Sequence, residues 1–250
     1  MATFDELVAE GDAVALDGWD FSWFEGRATE ERPSWGYAGL IGQRSSTVDS
    51  MLDVQTGGGE VLATIPRAPA VLAATESWPP NIDVARRTLE PLGGKVVEAP
   101  DEGPLPFPDA SFELVVSRLP TVTVWPEIAR VLRPGGSYLS QQVGAGSNRE
   151  LTDFMMGPQP VNPIRSTERA EAEAEAAGLV VTDLRHESLR VEFFDVAAVV
   201  HFLRKVLWTV PGFTVDGYRD RLVAMHEHIT EHGSFLAHSQ RFLIEARREA

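Results

Sequence analysis

Two carboxylates and a run of glycines form the pattern with the most chemical content. Asp53-Val-Gln55-Thr56-Gly57-Gly58-Gly59-Glu60 overlaps the end of a short apolar run, Met51–Val54, and Glu76 follows Asp53 by 23 residues at the end of a second apolar run. Glycine reaches backbone angles closed to other residues, and its missing side chain lets a ligand touch the main chain. An acid at the tip of the neighbouring strand can hold both hydroxyls of a ribose. The dinucleotide fingerprint G-x-G-x-x-G would need a third glycine where this chain has Leu62. Asp53, just before the turn, would repel a pyrophosphate and suits a cofactor with a cationic amino-acid end.

Other reactive side chains are less ordered in the sequence. His228, His232 and His238 lie in a polar stretch, and His226-Glu-His228 has no third ligand at metal-binding spacing, so no metal is expected. His226 falls on the apolar stripe of its helix. His201 shares a helix face with Arg204, Lys205 and Trp208. Each has two readings: a packed core histidine, or a general base, because an unperturbed imidazole titrates near 6.5. Arg118 closes a strand and would meet either a substrate or a surface carboxylate. Cysteine is absent, which excludes disulfides, thiolate metal sites and a Cys nucleophile.

The elements that position these residues alternate. Met51–Val54, Val71–Glu76, Lys95–Glu98, Phe112–Ser117 and Ser137–Val143 read as strands, and Leu179–Leu184 and Arg241–Ala246 as two more. The segment after Gly57–Gly59 reads as a turn into a helix. Pro79–Leu89 reads as a second helix, and Pro126–Leu132 as a third stopped by Pro134-Gly135-Gly136. Ser166 or Thr167 caps an Ala/Glu-rich helix ending at Gly178, and Thr3-Phe-Asp-Glu6 is a capping box at an N-terminal one. Strands alternating with helices imply parallel pairing and a doubly wound α/β sheet. Trp19, Phe21, Trp23, Phe24, Trp35 and Tyr37 form an aromatic, irregular stretch before it. The expected organisation is an N-terminal helical and aromatic cover over 1–45, then one cofactor-binding domain over 46–250 with a helical insertion at about 195–232.

Composition narrows the partners. The chain has 250 residues, 22 Lys and Arg against 37 Asp and Glu, and a formal charge of −15. Such a charge disfavours a polyphosphate backbone, so no nucleic-acid partner is expected. The 43% hydrophobic content supports a packed core. No apolar run approaches the ~18 residues of a membrane span, and acids occupy the first twenty residues where a secretion signal would carry Lys or Arg. The expectation is a cytoplasmic protein with no membrane partner.

Three segments in order, Asp53-Val-Gln-Thr-Gly-Gly-Gly59, Leu105-Pro-Phe-Pro-Asp-Ala-Ser-Phe112-Glu-Leu-Val and Arg130-Val-Leu-Arg-Pro-Gly-Gly136, resemble class I S-adenosylmethionine-dependent methyltransferases of the small-molecule type. The resemblance covers residues 48–145 well and the last strands more weakly. It implies a Rossmann-like sheet of seven strands, mostly parallel with an antiparallel last strand, plus helical cover. It also implies S-adenosylmethionine as cofactor. Asp53 with Gln55, Thr56, Gly57 and Gly59 would hold its methionine end. Glu76 would take the ribose hydroxyls, Ser77 and Trp78 would flank the adenine, and Asp101 with Glu102 would receive the adenine amino group. Ser117 and Arg118 end the strand that faces the transferring methyl group.

The family usually has glycine where this chain has Gln55. A left-handed glutamine there costs on the order of 1–2 kcal/mol; ordinary angles would instead free its amide for the cofactor. The implied activity is methyl transfer to a small-molecule acceptor, chiefly by alignment, with the cover at 1–45 and 195–232 shaping the acceptor pocket. The alternatives are a cofactor-lost binding protein of the same fold and an NAD-dependent oxidoreductase.

Overall fold

The computed structural model describes residues 2–16 and 21–250. Trp19, part of the aromatic stretch, lies outside them. Along the chain run α1 (Phe4–Ala13), β1 (Ala28–Glu30), α2 (Tyr37–Ser45), β2 (Ser50–Asp53), β3 (Val71–Glu76), α3 (Pro79–Leu89), β4 (Lys95–Glu98) and β5 (Phe112–Arg118). There follow α4 (Trp125–Val131), β6 (Leu132–Val143), α5 (Arg149–Met156), α6 (Thr167–Ala176), β7 (Leu179–Phe193), α7 (Val196–Lys205), α8 (Arg219–His232) and β8 (Phe235–Arg248). The chain forms two compact units. One comprises residues 33–144, 163–187 and 241–250, and the other 1–32, 145–162 and 188–240.

The first unit is the expected doubly wound α/β layer. Its strand order is β7-β8-β6-β5-β2-β3-β4. β2 pairs in parallel with β3 and β5, β3 with β4, and β5 with β6, while β8 runs antiparallel to β6. Successive residues face opposite layers, as a strand's period of two requires. Met51, Ala74, Leu114 and Val116 pack with Ile82 and Leu89 of α3 on one face. Leu52, Ala73 and Val115 pack with Trp125 and Ile128 of α4 on the other. Because both faces of β2 are covered, it reads as a continuous apolar run rather than an alternation. Strand order reverses between β2 and β5, which opens a crevice at the carboxyl ends of these two strands.

The loop before β5 is clamped by one side chain. The Arg130 guanidinium donates to both carboxylate oxygens of Glu127, at 2.8 and 2.7 Å, to Asp109 at 2.7 Å, and to the carbonyls of Phe107 and Leu105 at 2.8 and 2.9 Å. The same pairing holds the Glu127 carboxyl below its ordinary pKa. Lysine would keep the charge but lose the planar fork. Arg130→Lys is therefore expected to cost roughly 2 kcal/mol, a fall in melting temperature of about 5 °C readable by calorimetry.

The second unit is mainly helical. α7 buries Val196, Ala197, Ala198, Val199, Val200, His201 and Leu203, nearly its whole circumference. Phe4, Leu7 and Val8 of α1 join this core with Leu151, Met155, Leu222, Met225 and Ile229. α1 approaches α7 so closely that a Cβ on Gly11 would lie 2.4 Å from the Ala197 carbonyl oxygen. Arg204 donates to the Gly11 and Val14 carbonyls at 3.0 Å and so caps the end of α1. β1 pairs antiparallel with the end of β7, Ala28 opposite Phe193.

Among the described residues the sheet has eight strands rather than the expected seven. The extra one, β1, has only three residues and sits in the aromatic stretch, where no alternation announces it. The helix expected after the glycine turn is a single 3₁₀ turn, Leu62–Thr64. Pro66 and Pro69 follow at once, lack an N–H and clash with a preceding helical turn. β6 begins at Leu132 and passes through Pro134-Gly135-Gly136, and the register shifts so that Phe112 faces Leu132 but Leu114 faces Ser137. α2 and α5 had no sequence signal. Residues 33–45 group with the sheet, where the Tyr37 hydroxyl donates to the Ser117 carbonyl at 2.6 Å.

Candidate functional site

The crevice at the ends of β2, β3 and β5 gathers the acids and glycines. Glu76, buried at the tip of β3, accepts three backbone N–H groups: Gly57 on one oxygen at 2.8 Å, and Ser77 and Trp78 on the other at 3.0 and 2.9 Å. A carboxylate has about four acceptor sites, so one remains for a ligand hydroxyl. Gly59 takes φ +81, and a Cβ there would meet the Leu89 side chain at 3.0 Å. Both the backbone angle and the close approach of α3 thus demand glycine.

Asp53 is buried at the tip of β2 and accepts from the Thr56 hydroxyl at 2.6 Å. It has no ion-pair partner among the described residues. Burial pushes its pKa up to about 7, with the Thr56 bond and the Arg118 charge opposing and the nearby Glu76 charge adding. A buried carboxylate with no ion-pair contact is a place where a positively charged ligand group would gain most.

Gln55 adopts the left-handed conformation, φ 60. The strain considered from sequence is therefore present, and the alternative of ordinary angles is set aside. Its N–H donates to the Thr75 hydroxyl at 3.2 Å. Its amide turns to the loop after β5 instead of lying free for a cofactor: Nε2 donates to the Val122 carbonyl at 2.8 Å, and Oε1 accepts the Thr121 N–H at 2.7 Å. The Thr121 hydroxyl reaches Asp101 at 2.7 Å. Leu119 in this loop is also left-handed, φ 53. A small cavity of about 10 Å³, room for one water, lies among Gln55, Asp101, Ser117, Thr123 and Tyr138.

Ser117 is buried and shares hydrogen bonds with the Tyr138 hydroxyl at 2.6 Å and Ser140 at 2.9 Å. Arg118 is exposed at the end of β5. Ser77 and Trp78 enter α3, their backbones tied to Glu76. Glu102 lines an open groove of about 500 Å³ with Val122, Trp125 and Glu173. Asp53, Gln55, Thr56, Gly57, Gly59, Glu76, Ser77, Trp78, Asp101, Glu102, Ser117 and Arg118 all belong to the sheet unit.

His201 and His226 belong to the helical unit. His201 stacks on Phe24 and meets the edge of Trp23, both at 5.0 Å, and its Nδ1 has no hydrogen-bond partner among the described residues. Burial, with Lys205 and Arg204 adding, lowers its pKa to about 4. His226 packs on Phe4 at 5.7 Å. Both rings thus sit in aromatic company. Sequence reasoning missed Thr75, Thr121 and Tyr138. The first two are short polar residues that bond to Gln55, and only the oddity of a glutamine in a glycine turn hinted that such partners exist.

Residues 52–140 match the family model described as a methyltransferase domain. No curated protein matches the chain in sequence. Among solved structures, a candidate methyltransferase from Bacillus halodurans C-125 superposes with a TM-score of 0.58 at 18% identity, over 85% of this chain and 99% of that one. A geranyl diphosphate methyltransferase with bound GPP and sinefungin gives 0.53 at 15% identity, over 84% and 77%. The [4+2]-cyclase SpnF gives 0.52 at 17% identity, over 85% and 80%. No helix among the described residues is long and apolar enough to cross a membrane. Over residues 52–140 the chain thus matches a methyltransferase domain, and its fold is the one these solved structures share.

Proposed function

We propose that the protein transfers a methyl group from S-adenosylmethionine to a small, moderately apolar acceptor in the cytoplasm. The observation that carries this reading is the pair of buried acids at adjacent strand tips, one of them, Asp53, with no ion-pair contact and only the more distant Arg118 charge to favour its ionised form. Solved neighbours contain the same cofactor or its analogue sinefungin. When bound, the cofactor supplies an electrophilic methyl group on a good leaving thioether.

The chain's own residues hold and orient it. Glu76 offers its remaining acceptor site to the ribose, and the Gly57–Gly59 backbone allows close approach. Asp53 receives the cationic amino-acid end, and Asp101 the adenine amino group. Well-oriented reactants account for ~7–11 kcal/mol of barrier, so alignment is the protein's main task. Arg118, at the exposed end of β5, would orient the acceptor. His201 and His226, weighed from the sequence as general bases, are not given that role here, because His201 is held neutral in an aromatic core. An acceptor that is already nucleophilic needs no base. The −15 charge supports a small molecule over a nucleic acid.

Calorimetric titration tests the reading. S-adenosylmethionine and S-adenosylhomocysteine should bind at micromolar levels and NADH should not. Tight NADH binding with no response to either sulfur nucleoside would reverse the assignment to an oxidoreductase.

A further inference from the structure

Gln55 turns both ends of its carboxamide to one loop. Nε2 reaches the Val122 carbonyl and Oε1 the Thr121 N–H. The Thr121 hydroxyl lies 3.0 Å from the same Oε1 but 2.7 Å from Asp101. It has a single hydrogen, which goes to the shorter, charged acceptor. Thr121 is therefore tied to Gln55 through its backbone and to Asp101 through its side chain. The chain Gln55–Thr121–Asp101 spans the crevice from the tip of β2 to the segment after β4. A cavity of about 10 Å³ lies beside Gln55 among Ser117, Thr123 and Tyr138.

The arrangement is also held under strain. Gln55 and Leu119, two residues before Thr121, are both left-handed. Left-handed backbone is unfavourable for residues with a Cβ, so hydrogen bonds must hold it. Leu119 is fixed by its N–H to the Gln141 carbonyl at 2.7 Å, and Gln55 by the loop it holds. Breaking the Gln55 carboxamide bonds frees the loop at Thr121 and Val122, while Leu119 stays on Gln141 and the Thr123 hydroxyl on Gln142 at 3.1 Å as its hinges.

We propose that Gln55 is a latch: it holds residues 119–124 across the donor crevice, and the nucleoside seats only after its carboxamide releases Thr121 and Val122. This rests on the methyl-donor reading above. A released loop exposes the Asp101 carboxylate, which a ligand amino group then takes over from Thr121. Binding is a two-step process in which loop release comes first, and Gln55 sets its rate. The residue is a positioning residue and takes no part in bond making.

Two measurements on the full chain test the latch. Hydrogen exchange of the ligand-free protein reads the Thr121 amide directly, because Gln55 is its acceptor. Gln55→Gly should speed exchange at 121–122 at least tenfold while amides of β2 and β5 stay protected. Gln55→Glu keeps the acceptor and loses the donor to Val122, so it should show a smaller change. Stopped-flow mixing with S-adenosylhomocysteine should show an observed rate that saturates with ligand in the wild type, and an association rate raised at least tenfold in Gln55→Gly. Unchanged exchange at 121–122 in Gln55→Gly overturns the latch, whatever binds. Faster exchange with an unchanged association rate also overturns it as a gate. Faster exchange with no binding by either protein overturns the methyl-donor reading, and with it the gating role.

Discussion

Replacing Glu76 with alanine is expected to weaken S-adenosylmethionine binding by roughly 1.5–3 kcal/mol, about 10- to 150-fold. The carboxylate accepts the N–H groups of Gly57, Ser77 and Trp78, and so fixes both the glycine turn and the entry to α3. On the proposed reading its loss removes the ribose partner and loosens the turn that approaches the cofactor. The three N–H groups left behind also cost stability, on the order of 2 kcal/mol, because a buried donor without a partner pays its full desolvation. Glu76→Gln is a sharper probe. One of its two terminal atoms becomes a donor, and it must face either Gly57 or the Ser77–Trp78 pair, all donors themselves. The glutamine variant should therefore lose nearly as much affinity as the alanine one while its melting temperature falls less. Titration calorimetry beside a melting curve separates the two effects. An affinity unchanged in both variants, with the fold intact, would remove the ribose from this strand tip.

Asp53 gives the second large effect, and its sign depends on pH. In the unfolded chain it ionises near 3.8; in the fold, burial raises that to about 7. Below pH 4 both states hold the proton and the group is neutral in the balance. Between about 4 and 7 the folded state keeps a proton that the unfolded chain has lost, so stability falls as pH rises, and above 7 the penalty is complete. Its size is roughly 2–4 kcal/mol. Asp53→Asn should therefore raise the melting temperature at pH 8 and leave it nearly unchanged at pH 4. The same variant should lose cofactor affinity, because the cation partner is gone. In the wild type, affinity should climb about tenfold per pH unit up to neutrality, as the cationic ligand end draws off the proton, and then level. A pH-independent affinity, or an asparagine variant less stable at pH 8, would contradict the buried acid as the cation seat.

Much of this was legible in the residues themselves. The bounds of α3 and β4 follow directly from Pro79-Pro80, Gly93-Gly94 and a short apolar run between turns. The acids at 53 and 76 were legible because strand ends and glycines bracket them. What stayed hidden was hidden for physical reasons. The 3₁₀ turn at Leu62–Thr64 reflects two prolines further on, which override a stretch that reads as a helix start. β1 owes its existence to pairing with β7, a contact of more than 160 residues' separation that no local pattern encodes. The conformation of Gln55 was left open because the choice lies with Thr121 and Val122, far along the chain. α2 carries an aromatic start, Trp35 and Tyr37, whose polar atoms find Gln141 and the Ser117 carbonyl only in the folded sheet.

The contact between α1 and α7 has a practical consequence. Gly11 lets the two backbones touch, and Phe4, Leu7 and Val8 cover a helix that is apolar almost all the way round. Trimming the first fifteen residues would strip that cover and leave Val199, Val200 and Leu203 to solvent or to another chain. Shortened versions should precipitate or self-associate in expression hosts even though every acid and glycine of the crevice remains in place. Purification tags are better carried at the other end of the chain.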